Sequence, residues 1–163
     1  MYLKPGENKI VIVGLFATGK TTLVNEIIKT RPDFKVYHTD DFLQYEQNLQ
    51  MRFLLNKINL DKPRKFIVEG AKAYSLLRSG AKDNSFLPDL VINCVASEGT
   101  RQQRYLQPDR WNKGRHSLAN KTGMKDFKAF DNVYRKIWDE YAHMHKSHTP
   151  RIVEYCTEPL NLN

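Results

Sequence analysis

Residues 14–21 place glycine, lysine and threonine at the spacing G-x-x-x-x-G-K-[ST] of a phosphate-binding P-loop. Glycines let the backbone curl, so that successive N–H groups point toward phosphate oxygens. At this spacing the ammonium of Lys20 reaches the β- and γ-phosphates of a nucleotide, and the hydroxyl of Thr21 binds Mg²⁺. We therefore expect a nucleoside triphosphate to bind the segment formed by Gly14, Leu15, Phe16, Ala17, Thr18, Gly19, Lys20, Thr21 and Thr22.

Carboxylates follow two further strand-like runs of the sequence. Phe34–His38 leads into Thr39-Asp40-Asp41-Phe42, and Lys65–Glu69 ends in an acidic residue. In a parallel α/β sheet these residues meet beside the P-loop, at the carboxyl edge. A hydroxyl that attacks a γ-phosphate needs a carboxylate to orient it and to accept its proton. The alternatives are a helix N-cap pair for Asp40 and Asp41, and an exposed strand-end carboxylate for Glu69.

Cations are concentrated in residues 101–128, where eight lysines and arginines face two aspartates, a net +6 of the chain's +8. Arg101 and Arg104 are three residues apart, so a helix places them on one face. The stretch also holds Arg110 and Trp111, and a basic strip with an aromatic residue suits a nucleic-acid backbone and a stacked base. The alternative is a solvated cationic loop.

Short β-type runs alternate with helical runs along the chain, which predicts a doubly wound α/β domain with a mainly parallel sheet. We expect one domain over residues 1–163, with five strands flanked by helices. The predicted strands are Lys9–Val13, Phe34–His38, Lys65–Glu69, Asp89–Val95 and Arg151–Cys156. The predicted helices are Thr21–Lys29, Phe42–Ile58, Ala71–Ser79 with Gly80 as its stop, a short one capped by Ser97, and Asp126–His145.

Pro108–Lys125 has no apolar period, and a loop of that length in a compact domain is usually functional or disordered. We expect a mobile basic lid over approximately residues 101–125.

Two common classes of P-loop protein are excluded by missing motifs. A GTPase of this length carries N-K-x-D and, after the third strand, D-x-x-G, and neither is present; Asn56-Lys57-Ile58-Asn59 lacks the aspartate. An ATP-binding-cassette module carries L-S-G-G-Q, which is also absent.

A P-loop, a strand followed by Asp-Asp-aromatic and a strand ending in Glu-Gly together resemble the small P-loop kinases of the uridine and nicotinamide riboside kinase group. The run from Arg31 to Phe42 also resembles the corresponding stretch of polynucleotide 5′-kinases. The resemblance implies a nucleoside- or nucleotide-kinase-like fold and ATP with Mg²⁺ as cofactors. It further implies that the first aspartate of the pair, Asp40, acts on the acceptor hydroxyl, with Asp41 as the alternative base.

The same resemblance assigns the remaining site residues. Glu69 would hold Mg²⁺ through a water, beside Thr21, or contact the acceptor. In these kinases an arginine-rich lid closes on ATP and neutralises charge on the transferred phosphoryl group. Carried over by position, that role falls to Arg101 and Arg104. The expected acceptor contacts are Asp41, Phe42, Arg110 and Trp111.

The predicted enzyme is an ATP-dependent phosphotransferase whose partner is a nucleoside-type acceptor. The charge distribution favours an acceptor within DNA, either a 5′ end or a hydroxymethylated pyrimidine base, as in the DNA kinases of some phages. The alternative is a free nucleoside, nucleotide or vitamin riboside. A nucleotide-gated nucleic-acid-binding module without phosphoryl transfer is a third hypothesis.

Composition supports a globular protein and suggests its compartment. Apolar residues make up 40% and charged residues 27% of the 163 residues, which excludes collagen-like, coiled-coil and wholly disordered classes. The apolar runs are too short to span a bilayer, and the first residues lack a secretory signal. Cys94 and Cys156 lie in strand-like apolar runs, so we expect reduced core cysteines, a cytoplasmic location and no membrane partner.

Overall fold

The computed structural model of the chain describes residues 3–105 and 116–157. Within them, a five-stranded sheet has the order β2-β3-β1-β4-β5, and all of its neighbouring strands pair in parallel. The strands are β1 (Lys9–Gly14), β2 (Lys35–His38), β3 (Phe66–Glu69), β4 (Leu90–Val95) and β5 (Arg151–Cys156). The helices are α1 (Lys20–Thr30), α2 (Gln50–Asp61), α3 (Ala73–Asp83), α4 (Glu98–Tyr105) and α5 (His116–His143), with a 3₁₀ turn at Thr39–Phe42.

Helices cover both faces of the sheet, as a parallel sheet requires. Ile10 and Ile12 of β1 pack with Leu23, Val24 and Ile27 of α1 on one face. The alternate residues of β1 face the opposite layer, which contains side chains of α2, α3 and α5. Residues 10–13 of β1 are 0% exposed, so the strand just before the P-loop lies at the centre of the core. The predicted doubly wound α/β fold is confirmed.

Strand register gathers the ends of four strands at one edge. Glu69 is aligned with Ile12 on one side and with His38 on the other, while Gly14 is aligned with Cys94. β2 and β3 lie on one side of β1, and β4 and β5 lie on the other side. In open α/β sheets, ligands bind outside the carboxyl ends of the strands where the strand order reverses in this way.

The predicted helix Phe42–Ile58 is wrong over its first half. Thr39–Phe42 forms the 3₁₀ turn, and α2 begins only at Gln50. The side-chain amide of Gln50 donates hydrogen bonds to the carbonyl oxygens of Leu43, at 3.4 Å, and Tyr45, at 3.0 Å. These carbonyls therefore have a hydrogen-bond partner outside a helix, and Leu43 is 48% exposed.

Gly80 does not stop its helix, because α3 continues to Asp83. A Cβ at position 80 would lie 2.6 Å from Cβ of Phe86, so this glycine permits a close approach between α3 and the following loop. The left-handed residue at the end of α3 is Asn84, with φ 57°.

The last helix begins earlier than predicted. α5 starts at His116, so residues 116–125 of the predicted mobile loop are helical, while residues 108–115 lie outside the described part of the chain. Of the helices in the described ranges, none has the length and apolarity needed to cross a membrane, including the 28 residues of α5.

The two cysteines differ in environment. Cys94 is buried, and burial raises the pKa of its thiol to about 11. Cys156 is exposed, contrary to the prediction, because β5 is an edge strand whose residues are alternately half-buried and exposed.

Candidate functional site

The P-loop joins β1 to α1 through left-handed backbone at Ala17 and Gly19, with φ of 64° and 84°. Gly14 has no room for a side chain: a Cβ there would lie 2.3 Å from Oγ1 of Thr18 and 2.9 Å from the carbonyl oxygen of Cys94. The glycines therefore permit the curl that points backbone N–H groups inward. This geometry agrees with the phosphate-binding interpretation of the sequence.

Lys20 folds back across this loop. Its Nζ donates hydrogen bonds of 2.9 Å to the carbonyl oxygens of Gly14 and Leu15. Thr21 and Thr22 follow in the first turn of α1, which contains no acidic residue. The positive end of the helix dipole and the ammonium thus lie together, and both favour an anion.

Arg104 of α4 links the P-loop to the segment after β5. Its guanidinium donates to the carbonyl oxygen of Ala17 at 3.2 Å and to the carbonyl oxygen of Thr157 at 2.6 Å. A cavity of about 440 Å³ opens beside this link. It is lined by Gly19, Thr22, Leu23, Glu26, Arg104, Tyr155 and Thr157. Sequence reasoning missed Tyr155 and Thr157, because no motif marks the residues that end the last strand.

The acidic pair after β2 is divided between the interior and the solvent. Asp40 is half-buried and Asp41 is exposed, and both lie inside the 3₁₀ turn, whose N-cap residue is His38. Burial and the charge of Asp40 together raise the pKa of Tyr134 to about 12. Asp40 is therefore the less exposed carboxylate of the pair.

Glu69 is 4% exposed at the end of β3, so it is not the exposed strand-end carboxylate of the alternative interpretation. Its Oε1 lies 2.7 Å from Nδ1 of His38. Gly70 follows with φ 141°, and a Cβ there would lie 1.9 Å from Oγ1 of Thr39. Glycine at position 70 thus lets the ends of β2 and β3 approach, which brings Asp40 and Glu69 to one edge of the sheet.

A second cavity, of about 670 Å³, lies between α2, α3 and α5. It is lined by Gln47, Asn48, Gln50, Met51, Lys72, Ser75, Arg78, Phe130, Val133, Tyr134 and Ile137. The P-loop contacts its wall, since the Phe16 ring lies edge-on to Phe130 and Tyr134 with centroids at 5.5 and 6.1 Å. Phe42 is not one of the lining residues; its ring is partly buried against the core and contacts Tyr45.

Arg101 occupies a different place from the one that the resemblance implied. Its side chain is 1% exposed and makes a two-pronged ion pair with Asp131 of α5, with Nη1 and Oδ1 at 3.0 Å. A phosphate at the P-loop cannot reach a guanidinium buried in this way without a rearrangement, so the observed position is structural. Arg110 and Trp111 lie outside the described residues.

The donor set at the sheet edge fits Mg²⁺. The hydroxyl of Thr21 and the carboxylate of Glu69 are oxygen ligands, which this ion prefers. Among residues 3–105 and 116–157, no group of three His, Cys, Asp or Glu side chains is arranged to hold a metal by itself. Mg²⁺ is usually bound through one or two carboxylates together with nucleotide phosphates, so this set suits a metal that arrives with a nucleotide.

Comparison with known proteins shows the fold alone. No family model and no curated protein matches the sequence. Among solved structures, shikimate kinase from Acinetobacter baumannii in complex with shikimate has a TM-score of 0.61 at 15% identity, over 96% of this chain and 86% of that one. Deoxyadenosine kinase from M. mycoides, with dCMP and dCDP bound, has a TM-score of 0.54 at 14% identity, over 92% and 89%. An uncharacterized protein from Eubacterium ventriosum has a TM-score of 0.52 at 12% identity, over 90% and 87%.

Proposed function

We propose that this protein is a kinase that transfers the γ-phosphate of ATP to a hydroxyl of a small molecule, either a nucleoside-type compound or a hydroxylated ring acid. The observation that carries the proposal is the position of the P-loop between two cavities. Gly19 lines the cavity of about 440 Å³, and Phe16 packs against the wall of the cavity of about 670 Å³. A phosphate donor and an acceptor can thus meet across the loop. The folds that resemble this one include kinases for shikimate and for deoxyadenosine.

The donor half of the mechanism rests on the P-loop. The loop amides and Lys20 hold the β- and γ-phosphates, and the carbonyl bonds of Lys20 are exchanged for phosphate oxygens. The base of ATP enters the smaller cavity beside Arg104 and Thr157. Thr21 and Glu69 hold Mg²⁺, which neutralises phosphate charge when it is bound.

The acceptor half rests on Asp40. Its carboxylate orients the acceptor hydroxyl and takes the hydroxyl proton while the oxygen attacks the γ-phosphorus. One O–P bond forms, the bond between the γ-phosphorus and the bridging oxygen breaks, and ADP leaves with the negative charge. Arg104, already bonded to the carbonyl of Ala17, is the arginine that we assign to that charge.

The charge distribution of the sequence favoured an acceptor within DNA, but the positions of two of the cations weaken that preference. Of the cations in residues 101–128, Arg101 is neutralised by Asp131 and Arg104 is engaged with the P-loop and Thr157. The larger cavity has the volume of a small-molecule site. We therefore favour a free acceptor, and keep DNA as the alternative that the remaining cations support.

The test follows γ-labelled phosphate from Mg-ATP into free nucleosides, nucleoside monophosphates, hydroxylated ring acids and oligonucleotides with a 5′ hydroxyl or hydroxymethylpyrimidines. We expect label on a small molecule, loss of transfer in Asp40→Asn with ATP binding kept, and near-normal transfer in the exposed neighbour Asp41→Asn. Label on DNA alone would favour the alternative in which the acceptor hydroxyl belongs to DNA. ATP binding with no transfer to any acceptor would favour the nucleotide-gated binding module.

A further inference from the structure

Lys72 lies at the N-terminus of α3, where its half-buried side chain lines the cavity of about 670 Å³. The first turn of α3 contains no acidic residue, so the positive end of the helix dipole and the ammonium face the same region. Lys72 belongs to no motif in the sequence, and the phosphate-binding machinery described above does not use it.

Gln50 fixes the position of Lys72. The glutamine is 5% exposed, and its Nε2 is committed to the carbonyl oxygens of Leu43 and Tyr45. Its Oε1 is thereby turned to Lys72, whose Nζ donates a hydrogen bond to it at 2.5 Å. The amide orients the ammonium but carries no charge of its own to offset it.

Three other cations of this fold have carboxylate partners. Arg78 lines the same cavity and lies 3.0 Å from Glu140, and Lys65 and Lys35 pair with Asp33 and Asp61. For Lys72, no carboxylate lies within ion-pair distance in the part of the chain that the structure describes. Burial lowers the pKa of Lys72, while the more distant charge of Asp40 opposes that shift. An anion in the cavity would replace the favourable solvation that the ammonium loses when it is buried.

We propose that Lys72, held by Gln50, binds an acidic group of the acceptor, a carboxylate or a phosphate, while the acceptor hydroxyl faces Asp40. The substrate class is then a small hydroxylated acid or a nucleoside monophosphate, and the rings of Phe130 and Tyr134 supply an apolar wall for its body. This inference rests on the proposed kinase function, because it names the acceptor of that reaction.

The test compares acceptors in matched pairs, each an acidic molecule and a neutral counterpart with the same free hydroxyls. One pair is a nucleoside 5′-monophosphate and the 5′-O-methyl nucleoside, which offer the same sugar hydroxyls, and the other is a hydroxylated ring carboxylate and its methyl ester. The wild-type kcat/KM should favour the acidic member of one pair by about 10- to 100-fold, the value of one charge-assisted hydrogen bond. The pair that shows the preference identifies the group as phosphate or carboxylate.

Lys72→Met should raise KM for the acidic member by about 10- to 100-fold and leave kcat/KM for the neutral member unchanged. Lys72→Arg should keep part of the preference, and Lys82→Met, which removes an exposed lysine of α3, should keep all of it. Lys72→Gln serves as a second neutral variant, and thermal melting verifies that each variant is folded.

Equilibrium binding of the same pairs, in the presence of a non-hydrolysable ATP analogue, separates this inference from the proposed function. Binding of an acidic member that depends on Lys72, without transfer in any assay, would support the anion site and overturn the kinase. Transfer to neutral and acidic members alike, or a preference that survives Lys72→Met, would overturn the anion site alone. Absence of any binding that depends on Lys72 would also overturn it.

Discussion

The Nδ1 of His38 lies 2.7 Å from Oε1 of Glu69, between the last residues of β2 and β3. An ionised carboxylate only accepts, so the imidazole N–H is the donor. The imidazole is 37% exposed and the carboxylate only 5%, and the two residues are aligned across the β2–β3 ladder. The bond fixes the orientation of the buried carboxylate that we assign to Mg²⁺. It thereby makes His38 a positioning residue, even though His38 itself is not proposed to touch the metal.

His38→Ala should raise the Mg²⁺ concentration that gives half-maximal phosphoryl transfer by about 10-fold, because residues that hydrogen-bond to metal ligands change metal affinity by such factors. ATP binding measured without metal should stay unchanged. The measurement is a Mg²⁺ titration of initial rates, with His143→Ala, an exposed histidine at the end of α5, as the matched control. A His38→Ala enzyme with the wild-type titration curve would remove His38 from this role.

Arg104→Ala should weaken ATP binding by about 10-fold, because its bonds to the P-loop and to Thr157 hold together the cavity that we assign to ATP. Arg104→Lys should lose a similar amount, since an ammonium cannot reproduce the planar fork of donors. Calorimetric titration with ATP gives the dissociation constants. Arg52→Ala, at an exposed position of α2, should bind as the wild type does; equal weakening there would point to a general charge effect.

Asp131→Ala should lower the free energy of unfolding by about 3–5 kcal/mol, because it leaves the guanidinium of Arg101 buried without its counter-charge. The double variant Arg101→Met with Asp131→Leu should lose less than the two single changes together. Urea denaturation measures all of these values. Additive losses would show that the two side chains do not act as a pair.

Gly80→Ala and Gly99→Ala should change stability in opposite directions. A Cβ at position 80 would lie 2.6 Å from Cβ of Phe86, and the resulting overpacking should cost about 1–3 kcal/mol. Position 99, in α4, has nothing within 4 Å of an added Cβ, so alanine there should stabilise by about 0.5 kcal/mol. Thermal and urea unfolding of both variants test this prediction, and a loss of stability in both would contradict it.

Glu7 should contribute an acid-dependent part of the stability. Its carboxylate receives two hydrogen bonds from Arg151, of 2.9 and 2.7 Å, and the bond to Arg151 is the main cause that holds the pKa of Glu7 below its ordinary value of 4.5. The folded state therefore binds the proton less readily than the unfolded chain does. The contribution is complete above pH 4.5 and is lost as the pH falls through the lowered value.

Glu7→Gln should accordingly be less stable than the wild type at pH 7, by about 1–3 kcal/mol, and the difference should shrink below pH 4.5. Guanidinium unfolding at a series of pH values measures it, with the exposed Glu46→Gln as the control. A difference that is constant with pH would mean that the charge of Glu7 is not responsible.

The strands and the P-loop could be predicted closely from sequence because their physics is local. A strand buried on both faces is recognisable from its own run of β-branched residues. The spacing of Gly14, Gly19 and Lys20 is likewise enough to predict the backbone of the P-loop. Parallel pairing then places Asp40 and Glu69 at one edge, since the ends of parallel strands meet there.

The remaining parts of the site depend on contacts between distant residues. Lys72 and Gln50 are polar residues 22 positions apart, and only the packing of α2 against α3 brings them together. Arg101 carried the same sequence signal as Arg104, yet Asp131, 30 residues later, draws it into the interior. The helical start of α5 was also missed, because residues 116–125 carry charge without an apolar period.

The bonds of Arg104 have a consequence for how the protein is made. They join Ala17 to a guanidinium 87 positions later, and that guanidinium to Thr157, another 53 positions along. The β1–P-loop–α1 unit leaves the ribosome before β5, but the smaller cavity gains its far wall only when β5 has emerged and paired with β4. A ligand stabilises only the states that bind it. ATP should therefore protect the folded protein from unfolding. It should stabilise nascent chains little, because their sheet must form through side-chain packing before the cavity is complete.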